Sequence, residues 1–242
     1  MTELIDTGRI SSLARPTENT VARWYFPVVF GLLFAGMLFG FSKTLYLRSF
    51  FPVPPIPFYL YVHGIVLTTW FALVLTQTSL IATHRQDIHR RLGFAALAVA
   101  VVLVPLNVFV VAHAAERAHG AITPLLKLET IGDLWSLIWF AGFVSAGVYF
   151  RRQPDLHRRL MVASCFTIYG PVFARFELVF GLPTPPPAVI LLGLLALVSY
   201  DLIVARRVQR PTIWIVALWI GGLLPLLGFV ATSAADSVVR AL

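Results

Sequence analysis

Apolar runs of about 20 residues, the length needed to cross a bilayer, recur along most of the chain and are separated by short stretches rich in charge, proline and glycine. Their boundaries predict spans at 24–41, 58–83, 92–114, 130–150, 159–180, 186–204 and 212–234. The predicted fold class is all-α, a polytopic transmembrane bundle of about seven helices, because only hydrogen-bonded helices or closed barrels satisfy the backbone in lipid. Residues 1–23 read as a cytoplasmic N-terminal tail and 24–242 as a single transmembrane helical domain. The tail mixes charges and hydroxyls with no apolar run ahead of a small-residue cleavage site, so no removable signal peptide is expected.

Inside this pattern a short segment repeats. Asp87-Ile88-His89-Arg90-Arg91-Leu92 returns as Asp155-Leu156-His157-Arg158-Arg159-Leu160, with five of six positions identical. Each copy opens a span that follows one of opposite direction. Spans 2–3 and 4–5 therefore read as two parallel-related hairpins forming a four-helix core. Asp87 and Asp155 are expected to cap the helices that follow, and the arginine pairs to meet lipid phosphates. His89 and His157 occupy equivalent places and are the candidate ligands for a haem or a metal near that surface.

Composition sharpens the membrane reading. The chain is 58% hydrophobic and only 12% charged, about half the charged share of a water-soluble domain, and its mean hydropathy is +0.83. The net charge of +8 resides in connections between spans, which accounts for it without nucleic acid. Thirteen Lys and Arg residues fall in one alternating set of connections and five in the other. That asymmetry predicts a bacterial inner (plasma) membrane protein with a cytoplasmic N-terminus and an extracytoplasmic C-terminus. The lone Cys165 excludes an intramolecular disulfide and a thiolate metal cluster. The proline-rich stretches 51–57 and 182–187 read as stiff outer connections.

Ionisable groups inside spans cost roughly 2.5–3.5 kcal/mol each on insertion scales, so they mark where function is sought. His63, Asn107, His113, Asp133, Arg175 and Glu177 fall at about one height in the outer third of spans 2 to 5. They predict a polar layer with Arg175 as an anion clamp and His63 with Asp133 as acid–base partners, the catalytic candidates. His63, His113, Glu116 and Asp133 form the candidate metal set, suited to Zn, Fe or Mn. The same layer also reads as structural pairing of Arg175 with Asp133 or Glu177. Asp201 is expected to pair with Arg206 or with lipid headgroups.

The runs Val62-His63-Gly64 with Thr69-Trp70-Phe71, His89-Arg90-Arg91-Leu92-Gly93 and Pro154-Asp155-Leu156-His157-Arg158-Arg159-Leu160-Met161 resemble a group of uncharacterised bacterial multi-pass membrane proteins over spans 2 to 5. The second histidine run is also similar to one in small helical proteins linked to cytochrome oxidase assembly. The histidine-bearing bundle resembles the cytochrome b561 group, although span 4 carries no mid-span histidine and that group's haem-ligand pattern is not met. With the polar layer of spans 2 to 5 as its site, the chain is expected to bind a small ligand, a metal or haem b in an outer-leaflet pocket and to serve as a redox or assembly accessory factor. Membrane protein partners are then expected alongside the lipid bilayer. The alternatives are a membrane enzyme acting on a lipid or quinone, and a small transporter. No phosphate-binding glycine loop, nucleophile elbow or His-Glu-x-x-His helix is present.

Overall fold

The computed structural model describes residues 20–113, 123–181 and 188–241, without the side chains of 177–180. Its helices are α1 (Thr20–Gly40), α2 (Phe58–Ala82), α3 (Gln86–Ala112), α4 (Pro124–Tyr149), α5 (Pro154–Thr167), α6 (Gly170–Phe180), α7 (Ala188–Ala205), α8 (Arg210–Val230) and α9 (Ser233–Ala241). The described residues contain no strand. Six helices, α1 to α4 with α7 and α8, are long and apolar enough to cross a membrane. The chain is an all-α multi-pass bundle, with about seven crossings once α5 and α6 are taken as one.

That fifth crossing is broken. Pro171 has no amide hydrogen and its ring collides with the carbonyl four residues earlier, which belongs to Thr167, the last residue of α5. The chain turns through Ile168 and Tyr169 before helix resumes at Gly170. The Tyr169 hydroxyl donates to the Leu33 carbonyl at 2.7 Å, tying the break to α1. Gly36 makes room for it, since a Cβ there would lie 2.5 Å from the Tyr169 oxygen.

The seventh crossing is shorter than the apolar run suggested. Helix α8 ends at Val230, and α9 is a separate short helix that buries Ala235 and Val239 with Ile131 of α4. Lys127 and Asp236 clamp it at 2.8 Å. Asp236 thus belongs to this added helix and not to the end of the seventh span.

The core joins α2–α3 and α4–α5 as expected and extends to α1, α7 and α8. Trp70 and Phe71 of α2 meet Phe140 of α4 and Tyr169 edge-on, while Phe143 of α4 meets Trp219 of α8. Outward faces carry large apolar side chains such as Phe58, Phe94 and Trp214. This inversion, with apolar groups outside as well as inside, is what lipid as solvent requires.

The connections 83–85, 150–153 and 206–209 gather at one end of the bundle, here the basic end, where Arg23 at the start of α1 also approaches His84 at 3.4 Å. Neither repeated aspartate is a cap. The residues before α3 and α5 are Arg85 and Gln153, with no side-chain cap bond, and the aspartates sit inside the first turn. There they still face the positive end of the helix dipole. Thr123 does cap α4, accepting from Leu126 N at 3.1 Å ahead of Pro124.

Candidate functional site at the basic end

The two repeated histidines come together. The His89 ring on α3 and the His157 ring on α5 have centroids 6.5 Å apart and planes at 81°. His157 Nδ1 lies 2.7 Å from the Gly147 carbonyl of α4. A carbonyl only accepts, so Nδ1 donates, and in the neutral ring the lone pair is then on Nε2. Gly147 lets α5 pack closely here: a Cβ there would lie 2.8 Å from Met161 Sδ and 3.6 Å from Leu160 Cβ. His89 is half-buried, in electrostatic contact with His157 and the backbone of Gln77 on α2. Its Nδ1 is buried with no hydrogen bond of good geometry.

The separation discriminates among the ways two imidazoles meet. A direct N–H···N bond of about 2.9 Å would bring the ring centres to ~5.2 Å. A metal ion bonded to both at about 2.0–2.1 Å puts them ~5.2 Å apart in tetrahedral geometry and ~6.4 Å apart when the nitrogens lie on opposite sides. The observed 6.5 Å is longer than a direct hydrogen bond between the rings and is close to the opposed spacing where the two ring nitrogens face each other.

The second arginine of each repeat behaves differently. Arg91 is exposed, whereas Arg159 is buried and pairs through Nη2 with Oδ1 of the buried Asp201 on α7. Arg159 also donates from Nε to Thr212 of α8 at 3.0 Å and from Nη1 to the Asp155 carbonyl at 2.7 Å. Asp201 Oδ2 accepts from Gln209 N at 2.8 Å. Arg159 therefore does not reach lipid phosphate, and Asp201 does not pair with Arg206. Burial reverses both expectations, because two charges withdrawn from water require each other. Arg158 stays nearer the surface, where it pairs with Asp155 and lies 4.9 Å over the Tyr200 ring.

The proposed outer layer is distributed among several contacts. His113 closes α3, with Nδ1 2.8 Å from the Phe109 carbonyl and its ring against Phe109 and Tyr59. Arg175 on α6 lies 5.5 Å over the Phe41 ring and shares an electrostatic contact with Glu129. Asp133 on α4 also feels Glu129, a like charge one turn away. His63 is half-buried on α2. Glu116 lies outside the described residues, as does the Glu177 side chain. Among the described residues no three His, Cys, Asp or Glu side chains converge to hold a metal, so His63, His113 and Asp133 do not form such a group. Below this layer, burial pushes the Tyr46 phenol above its ordinary value, an effect partly offset by its 2.6 Å hydrogen bond to Thr68.

Sequence reasoning identified His89 and His157 but not what surrounds them. Gly147 and Gln77 gave no chemical signal, whereas an aspartate within an apolar span is costly enough to have pointed to Asp201 and a buried cation. No protein-family model, curated protein or solved structure matches this chain.

Proposed function

We propose that this multi-pass membrane protein, oriented with its basic end in the cytoplasm, binds a transition-metal ion between His89 and His157 and serves as a metal-handling or redox accessory factor. The ring separation of 6.5 Å carries the reading. A hydrogen bond from the non-ligating nitrogen to a backbone carbonyl is the usual way a metal-bound imidazole is held, and His157 has one to Gly147. Two opposed nitrogens suit a cuprous ion, with the Met161 thioether one helical turn beyond His157 as a further soft donor. Haem iron also takes opposed imidazoles, but the tight packing of Met161 and Leu160 on Gly147 favours an ion over a porphyrin plate.

Anaerobic titration of the detergent-purified protein with Cu(I) against a chromophoric chelator tests this reading. One equivalent should bind, with a two-coordinate or three-coordinate X-ray absorption edge. His89→Ala and His157→Ala should each weaken binding at least tenfold, and His84→Ala should not. Undiminished copper retention in both variants removes the proposal, and a Soret band in the purified protein transfers the pair to haem.

Transport is supported by one observation, the discontinuous α5/α6 crossing. Transporter repeats usually break corresponding helices in both halves. The equivalent helix here, α3, runs unbroken from Gln86 to Ala112 despite Pro105. The metal reading therefore takes precedence.

A further inference from the structure

Beside the Arg159–Asp201 pair a cleft of about 280 Å³ opens where α5 and α8 begin and α7 ends. Its polar lining includes Arg158, Asp155, Tyr200 and Gln209, with Val204 on its apolar wall. The volume sits at the low end for ligand pockets, which suits a small polar group better than a whole metabolite.

Charge decides which polar group. Arg159 is neutralised within the protein by Asp201. Arg158 pairs directly with Asp155, a partner it shares with Arg159 and whose side chain is 76% exposed, and it feels Asp201 only at longer range; water therefore screens its direct pair and a competing anion can displace it. Arg158 Nε is buried with no hydrogen-bond partner, although the Nη2 end of the same fork is engaged. The lip continues into Arg206, Arg207 and Arg210, all exposed, and the cleft and its rim together carry surplus positive charge. The Arg158 guanidinium lies 4.9 Å over the Tyr200 ring, and its planar fork is of the kind that oxyanions of phosphorus accept in pairs.

We propose that this cleft binds a phosphate group, with Arg158 as its principal donor and Gln209 and the rim arginines completing the site. The ligand is either the headgroup of a phospholipid or a soluble phosphate compound. The headgroup is favoured by position: the exposed Val204 of α7 lines the cleft, and the exposed Leu202 and Ile203 on the same turn of that helix offer apolar surface to acyl chains. This site is separate from the histidine pair and stands independently of it.

The experiment uses full-length protein, delipidated in a neutral detergent at constant ionic strength, and follows melting as dioctanoyl phosphatidylglycerol or inorganic phosphate is added. The wild type should be stabilised saturably by the lipid, with apparent affinity falling about tenfold or more in Arg158→Gln. An exposed control, Arg151→Gln, should behave as wild type. Stabilisation by the lipid alone identifies a headgroup site, and equal stabilisation by inorganic phosphate identifies a soluble-anion site. No saturable effect of either, or an unchanged response in Arg158→Gln, overturns the proposal. Native mass spectrometry of retained lipid gives the same comparison if Arg158→Gln melts too early to titrate.

Discussion

Removing the carboxylate of Asp201 tests the energetic centre of the basic end. Arg159 there makes an ion pair with Asp201, hydrogen bonds to the Thr212 hydroxyl and the Asp155 carbonyl, and a longer contact of 3.8 Å with the exposed Asp155 carboxylate. In Asp201→Ala the two neutral acceptors remain, but a buried cation loses its only buried counter-charge and Gln209 N loses its acceptor. Breaking a buried pair in this one-sided way costs about 3–5 kcal/mol, a shift of roughly two to three and a half powers of ten in the folding equilibrium. For a chain of this size that corresponds to a melting temperature lower by ~6–20 °C. Asp201→Asn keeps an oxygen for Gln209 and should lose less. The paired replacement Arg159→Met with Asp201→Leu removes both charges and should recover most of the loss, because desolvation of the ions is abolished together with their attraction. Circular dichroism melting of the purified protein in detergent measures all three variants against wild type. Asp201→Ala melting within about 2 °C of wild type, or a double variant no better than the single, would refute the claim that burial makes each charge depend on the other.

Two further predictions address packing. A Cβ at Gly193 would come within 2.7 Å of the Trp219 ring and 2.8 Å of Phe166, so Gly193→Ala should cost about 1–3 kcal/mol through overpacking. Gly142, with nothing within 4 Å, should tolerate alanine or gain up to about 1 kcal/mol in its helix; equal melting of the two variants would contradict the close approach of α7 to α5 and α8. Tyr169→Phe removes the hydroxyl that fastens the α5/α6 break to Leu33 and should lower stability by about 0.5–1.5 kcal/mol. Increased hydrogen exchange should be confined to 168–172 and the facing turn of α1, and a uniform change along α5 would place the anchor elsewhere.

How far the fold was legible follows from what each signal measures. Span positions depend on mean apolarity, and six of the seven survive as continuous helices within a few residues. Helices α3 and α4 begin six residues ahead of their apolar runs, at Gln86 and Pro124, because hydropathy marks entry into lipid while helix begins in the polar interface. The break at Ile168–Tyr169 was signalled by Pro171 but was hidden by the apolar residues around it. Helix α9 was missed for the opposite reason: its apolar face is two residues wide, and the contact with Ile131 that completes it is remote in sequence. The duplicated segment implied equal roles for its two copies, but tertiary surroundings separate them. Arg91 ends exposed, whereas Arg159 meets Asp201 and Thr212, residues from spans outside the repeat.

That asymmetry explains why chemistry concentrates at the basic end. Helix α5 is the least apolar of the core helices, and it alone faces both α7 and α8 there while packing on α4 along its other side. Each face of its first turns is therefore committed: His157 toward Gly147 and His89, Arg159 toward Asp201 and Thr212, Arg158 toward Tyr200 and the cleft. A helix so surrounded cannot slide or rotate without breaking a hydrogen bond to a charged group, worth about 1.5–3 kcal/mol each. The Arg159 cluster thereby holds the register of α5, and through it the spacing of the two imidazoles. Asp201→Ala should then weaken metal binding at His89 and His157 even where the protein remains folded, whereas Tyr169→Phe, just beyond the far end of α5, should leave it unchanged. Equal copper affinity in Asp201→Ala and wild type would uncouple the ion pair from the histidines and leave it a purely structural clasp.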